Sequence, residues 1–180
     1  MKISRKSILI IFLLMLLSCS FYSLEGSIPI HLRNVVIQPT INETSEYNVG
    51  KFFENSFSQL LLTKNLLSIT EFQKADCQLQ FKVKNVYDQP YLLDDTENAT
   101  TVKQWKLQIV LSIEWYDLIK DNELINKDIS ESIVYSLDNS SIISQRVNDN
   151  FDFATNRDAA IEQCINNLIN RIINELTSTW

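Results

Sequence analysis

From Trp105 to Trp115 every second residue is a large apolar one, without a break. Trp105, Leu107, Ile109, Leu111, Ile113 and Trp115 fall on one side, and Lys106, Gln108, Val110, Ser112 and Glu114 on the other. A period of two is that of a strand with one buried face, and a run of this length spans roughly 36 Å. The same alternation predicts a strand through Cys77, Leu79, Phe81 and Val83, continuing to about Tyr87 and stopping before Pro90, and another through Ile129, Glu131, Ile133, Tyr135 and Leu137. Glu131 breaks the apolar set, so that end of its strand is expected to be exposed. Shorter strands are predicted over 34–38, closed by Pro39, and over 67–71.

Two stretches switch to the helical period. Val49, Phe52, Phe53, Phe57, Leu60 and Leu61 recur at steps of three and four, with Asn48 placed to cap. Ile161, Cys164, Ile165, Leu168, Ile169, Ile172, Ile173 and Leu176 do the same, after Thr155 or Asn156 as a cap with Asp158 in capping-box spacing. At about 1.5 Å per residue the second helix runs roughly 32 Å, close to the length of the long strand it would cover. Three polar stretches read as connections: residues 40–48, an acidic loop over 89–101 carrying Asp94, Asp95 and Glu97, and residues 138–152. A polar turn is expected around Asp121. The order β-α-β-β-β-β-α predicts an α+β fold, a two-layer sandwich with two helices on one face of a mainly antiparallel sheet of four to five strands. The other sheet face is left polar or meets a partner.

The first eighteen residues stand outside this pattern. Lys2, Arg5 and Lys6 precede ten apolar residues, 8–17, and then Leu16-Leu17-Ser18-Cys19. A basic stretch, a short apolar stretch and a small residue before a cut site make a signal peptide, too short to span a bilayer. Leu-Leu-Ser-Cys resembles the lipobox of bacterial lipoproteins. The resemblance implies cleavage before Cys19, acylation of its thiol and new amine, and stable anchoring, because two or more chains hold where one does not. Residues 1–18 are then a cleaved signal, 19–32 a lipidated tether, and 33–180 a single domain. The signal carries three positive charges and no negative ones, so its removal takes the net charge from −6 to −9. Ser20, rather than aspartate, follows the cysteine, which by the same resemblance implies sorting to the outer membrane.

Composition removes several classes of chemistry. Two glycines in 180 residues exclude glycine-rich phosphate loops, and an acidic balance argues against a broad nucleic-acid surface. The one histidine, His31, lies beside the tether, far in sequence from any nucleophile, and is expected on the surface. Asp94, Asp95 and Glu97, and likewise Asp117, Asp121 and Glu123, are expected to be solvated rather than metal-binding, since no regular ligand spacing accompanies them. Trp105, Trp115, Tyr116 and Tyr135 offer a binding platform as one reading, but Trp105 and Trp115 share the apolar phase of their strand and are expected in the core, with Tyr116 and Val110 on the opposite face as candidate partner contacts. Cys77 and Cys164 read as small buried hydrophobes, with a periplasmic disulfide as the alternative. No catalytic residue, cofactor or metal is expected, and the chain is not read as an enzyme.

The layout resembles a known family, the lipopolysaccharide-assembly lipoproteins of the LptE type. Cys19-Ser-Phe-Tyr-Ser-Leu-Glu-Gly26-Ser-Ile-Pro29 is similar to the family's opening, and 31–39 to its first strand, which commonly ends in proline. Thr40-Ile-Asn-Glu-Thr44, the phenylalanine-rich helix, Ala75-Asp76 before an alternating strand, the long central strand and the Ala159-Ala160-Ile161 helix follow in the family's order. The resemblance implies an outer-membrane lipoprotein, held in the periplasmic leaflet, that plugs and assembles an LptD-type β-barrel and assists insertion of lipopolysaccharide into the outer leaflet. Candidate lipopolysaccharide contacts are Lys103, Lys106 and Arg157. The acidic balance stands against a direct site for so anionic a lipid, and a structural plug does not need one. The alternative is a lipid-carrier or envelope-binding lipoprotein of the same shape, which requires an open apolar cavity between sheet and helices.

Overall fold

The computed structural model describes residues 28–96, 99–136, 153–154, 156–178 and 180. Its elements are β1 (Asn34–Ile37), β2 (Ile41–Asn42), α1 (Val49–Lys64), β3 (Ser68–Ile69), β4 (Cys77–Thr96), β5 (Ala99–Asp117), β6 (Asn122–Ser136), β7 (Phe153–Ala154) and α2 (Arg157–Ser178). They form an α+β sandwich of two layers, both helices lying on one face of a seven-stranded sheet.

The sheet is mixed around a long antiparallel centre, and larger than four to five strands. Its order is β3-β1-β4-β5-β6-β7, with β2 also on β4. Strands β4, β5 and β6 are the antiparallel meander. Around it β1 runs parallel to both β3 and β4, β2 parallel to β4, and β7 parallel to β6. The parallel pairs arise because β1 returns to β3 through α1, a crossover that only parallel strands require. Residues 40–48 are not purely a loop: β1 and β2 form one interrupted strand along β4, broken by Pro39, which has no N–H to donate.

The core lies where the alternation places it. Phe53 and Phe57 of α1 meet Phe81 of β4 edge-on, with ring centroids 4.9 and 4.8 Å apart. Under α2, Leu107, Ile109, Leu111, Ile113 and Ile133 are fully buried against Cys164, Leu168 and Ile172. The folded unit begins before residue 33: Ile28 and Leu32 are both buried in this core. Asn156 caps α2, its Oδ1 accepting from the Ala159 N–H at 2.8 Å. Asn48 does not cap α1 through its side chain, and Asn65 closes that helix in the left-handed region at φ 50°. Asp121 makes the same concession at φ 54° in the β5–β6 turn.

The largest departure is at 89–101. The acidic loop is instead the far end of the β4–β5 hairpin, which stays in register to Thr96 and Ala99. Pro90 is tolerated because register shifts flank it. β4 and β5 therefore run to roughly 60 Å, about twice the length of α2. β6 leaves β5 at Gln104, so beyond that point the described hairpin is a two-stranded arm, 93–96 against 99–103.

Candidate functional surfaces

Cys19 lies outside the described residues. The three cationic candidates do not converge. Lys103, on the arm, pairs with Asp94 at 2.7 Å. Lys106 stands opposite Gln89, one strand position from Trp105, and so on the sheet face away from the helices. Arg157 opens α2, where its Nη2 donates to Glu46 Oε1 at 2.6 Å and its Nε to Asp88 Oδ2 at 2.9 Å. The pairing with Glu46, then Asp88, holds the guanidinium firmly protonated.

Arg157 is thus the centre of a half-buried polar cluster. Tyr135 completes it, its hydroxyl donating to Asp88 Oδ1 at 3.0 Å. Burial, and then this bond to Asp88, push the phenol up to about 12. The cluster ties the loop before α1, the middle of β4, the end of β6 and the start of α2 to one guanidinium. Asp88 reaches it because the bulge at Val83/Asn85 flips the strand's phase, turning Val86 and Asp88 toward the helices. One signal was present in the sequence: a cation in the first turn of a helix opposes the macrodipole and needs a tertiary partner.

A second polar pair lies at the opposite end of the sheet. Asp117 is fully buried, not solvated. Its Oδ1 accepts from the Ile119 and Lys120 N–H groups, both at 2.9 Å, fixing the β5–β6 turn. Its Oδ2 lies 3.5 Å from His31 Nε2, so the lone histidine is half-buried against a carboxylate 86 positions away in the chain. Asp121 accepts from the Tyr116 hydroxyl on the outer side.

Other expectations resolve plainly. Trp115 and Tyr135 are buried and Trp105 packs against the core. Glu131 is not exposed: it sits on the core face opposite Ile109 and pairs with Arg171 of α2 at 2.8 Å. Cys77 and Cys164 are free thiols, buried in different places. Cys77 Sγ donates to Leu32 O and Cys164 Sγ to Glu131 O, each at 3.3 Å. Burial pushes them up to about 11 and about 12. Among the described residues no group of three or more metal-ligating side chains comes together, and no helix is long and apolar enough to cross a membrane. The space between sheet and helices is filled by Phe53, Phe57, Phe81 and Trp115. A shallow cleft of about 350 Å³ between the helices is walled by Ser56, Gln59, Leu60, Thr63, Asn166, Ile169 and Asn170.

Exposed apolar side chains collect at the two ends of the sheet. Tyr91, Leu92 and Leu93 stand where the arm begins. Ile30, Leu62, Ile69, Phe72, Ile119 and Trp180 surround the end where residue 28 enters the fold.

No family model and no curated protein matches the chain. Solved structures do. A hypothetical protein from Chlamydia trachomatis aligns over 79% of this chain and 96% of its own, at 9% identity and a TM-score of 0.53. A protein of the DUF330 family from Xanthomonas campestris aligns over 82% and 85%, at 10% identity and a TM-score of 0.52. A minor lipoprotein from Acinetobacter baumannii aligns over 83% and 94%, at 10% identity and a TM-score of 0.46. What the chain shares with the first two, at such identities, is the fold.

Proposed function

We propose that this chain is a lipid-anchored protein of the bacterial cell envelope that works by contact, as the partner of an LptD-type outer-membrane β-barrel during lipopolysaccharide insertion. The observation that carries a contact function is the arm. It projects past the last residue of β6 that pairs with β5, presents Leu93 to solvent with Tyr91 and Leu92 exposed at its base, and points away from the end where the N-terminus enters. Among the described residues no element lies beneath it; a two-stranded hairpin is marginal by itself, and apolar residues kept on one suit a surface built to be covered. The lipobox at Cys19 supports the anchor, and the ordered resemblance to LptE-type lipoproteins supports the barrel as partner and lipopolysaccharide as cargo. Because Arg157 and Lys103 are held by carboxylates, the role favoured is that of a plug and assembly partner rather than a cationic lipid grip.

A photo-crosslinker at Leu93, in the lipidated chain in its native membrane, tests this. Capture of a large outer-membrane β-barrel, identified by mass spectrometry, with loss of lipopolysaccharide display on depletion, is the expected result. Recovery of the chain alone under mild detergent, with display intact, overturns it.

A further inference from the structure

Thirteen large apolar side chains are exposed among the described residues, and six of them surround one end of the molecule. Ile30 precedes His31, which lies against Asp117. Ile119 follows that aspartate in the turn it fixes. Phe72 leads into Asp76, whose carbonyl accepts from the Leu118 N–H of the same turn. Ile69 is on β3, beside β1, and Leu62 in the last turn of α1. Trp180 closes the set, its ring edge-on to Trp115 at 5.6 Å. They are not scattered single residues: Ile30 is 81% exposed, Leu62 65%, Ile119 59% and Phe72 58%, all where the β4 start, β5 end and both helix C-termini converge.

We infer that this end is a membrane-seating surface, which rests on a phospholipid leaflet while the chain is anchored and has not yet met its barrel. The inference rests on the lipid-anchor part of the proposed function and needs nothing of the barrel. What selects a lipid surface over another occupant is where the preceding chain enters. Nine peptide steps separate Cys19 from Ile28, an extended reach of about 30 Å, and residue 28 is buried in this same end. A lipidated Cys19 therefore keeps these six side chains within about 30 Å of the leaflet and leaves the arm at the far end of roughly 60 Å of hairpin. Charge does not drive the contact: Arg33, Lys64, Lys74 and Lys120 are offset there by Glu71, Asp76, Asp121 and Glu123. The surface should seat on zwitterionic lipid through its apolar side chains, as interfacial anchors do.

The test uses the lipidated chain in phosphatidylcholine vesicles with brominated acyl chains, read by tryptophan fluorescence. Trp180 is exposed at the seating end, Trp115 is buried and Trp105 lies toward the arm. Quenching is expected, Trp180→Phe should abolish it, and Phe72→Ser with Ile119→Ser should reduce it severalfold with the circular dichroism unchanged. Absence of quenching in the wild-type chain, or quenching that survives the double substitution, overturns the proposal. So does a rise of tenfold or more in vesicle affinity on adding anionic lipid, which would make charge the driver. The mass of the peptide carrying Cys19 is measured in parallel. An unmodified Cys19 with quenching intact removes the anchor and keeps the surface, whereas a lipidated Cys19 without quenching does the reverse.

Discussion

Arg157 bonds Glu46 and Asp88 from two segments far apart in the chain, and its side chain is about a third exposed. Truncation to Ala would leave two neighbouring carboxylates without their cation. Water reaches the site, so the cost is well below that of a fully buried pair, about 1–2 kcal/mol. Urea denaturation of Arg157→Ala checks this, and Arg157→Lys should recover only part, because an ammonium cannot bond both acids in the plane of a fork. The two thiols give a pH dependence. In the unfolded chain they ionise near 9.0, whereas burial defers ionisation to about 11 for Cys77 and about 12 for Cys164. Between those values the unfolded state binds fewer protons, so stability is fully present below pH 9 and declines as the pH climbs toward 12, at up to about 1.4 kcal/mol per pH unit for each thiol. Denaturation at pH 8 and pH 10.5 should show the decline, and Cys164→Ala should flatten it. A stability that is level over that interval would contradict the burial of both thiols.

At the scale of elements, legibility follows burial. Trp105 to Trp115 could be read at sight because one face is covered and the other is not. The arm could not, because among the described residues 93–96 and 99–103 have no layer beneath them to impose alternation. Pro90 and the acids then supplied a plausible stop. The parallel placement of β1 and β3 was equally hidden: their pattern fits either direction, and only the crossover through α1 settles it. Asp88 and Glu131 stood against the pattern for a different reason, each being a buried-face acid satisfied by an arginine of α2. His31 beside Asp117 has no local signature at all, since pairing across such a separation is written in the topology. The arm's isolation makes a prediction. Its amides should exchange with solvent far faster than those of β4 and β5 beneath the helices, by hydrogen exchange read by mass spectrometry. Leu92→Ser with Leu93→Ser should change folding stability by no more than about 0.5 kcal/mol. A loss above about 2 kcal/mol would mean that these side chains belong to the core and would remove the arm as a contact surface.

The whole molecule has a direction. One end gathers the chain's entry point, both helix C-termini and a ring of apolar side chains, and the other tapers to a hairpin two strands wide. Its core is closed and its strongest polar cluster is spent on holding elements together, which suits a body that transmits position between an anchor and a partner. The parallel seat of β1 against β4 also fixes a sequence of events. Val35 finds its register partner Cys77 42 residues later in the chain, and the core face of β4 is complete only once β5 has followed. At roughly 5–20 residues per second of synthesis, the first strand waits seconds without a neighbour. An apolar strand left open for that long is a substrate for chaperones, so this fold asks more of its escort during biogenesis than its modest size would suggest.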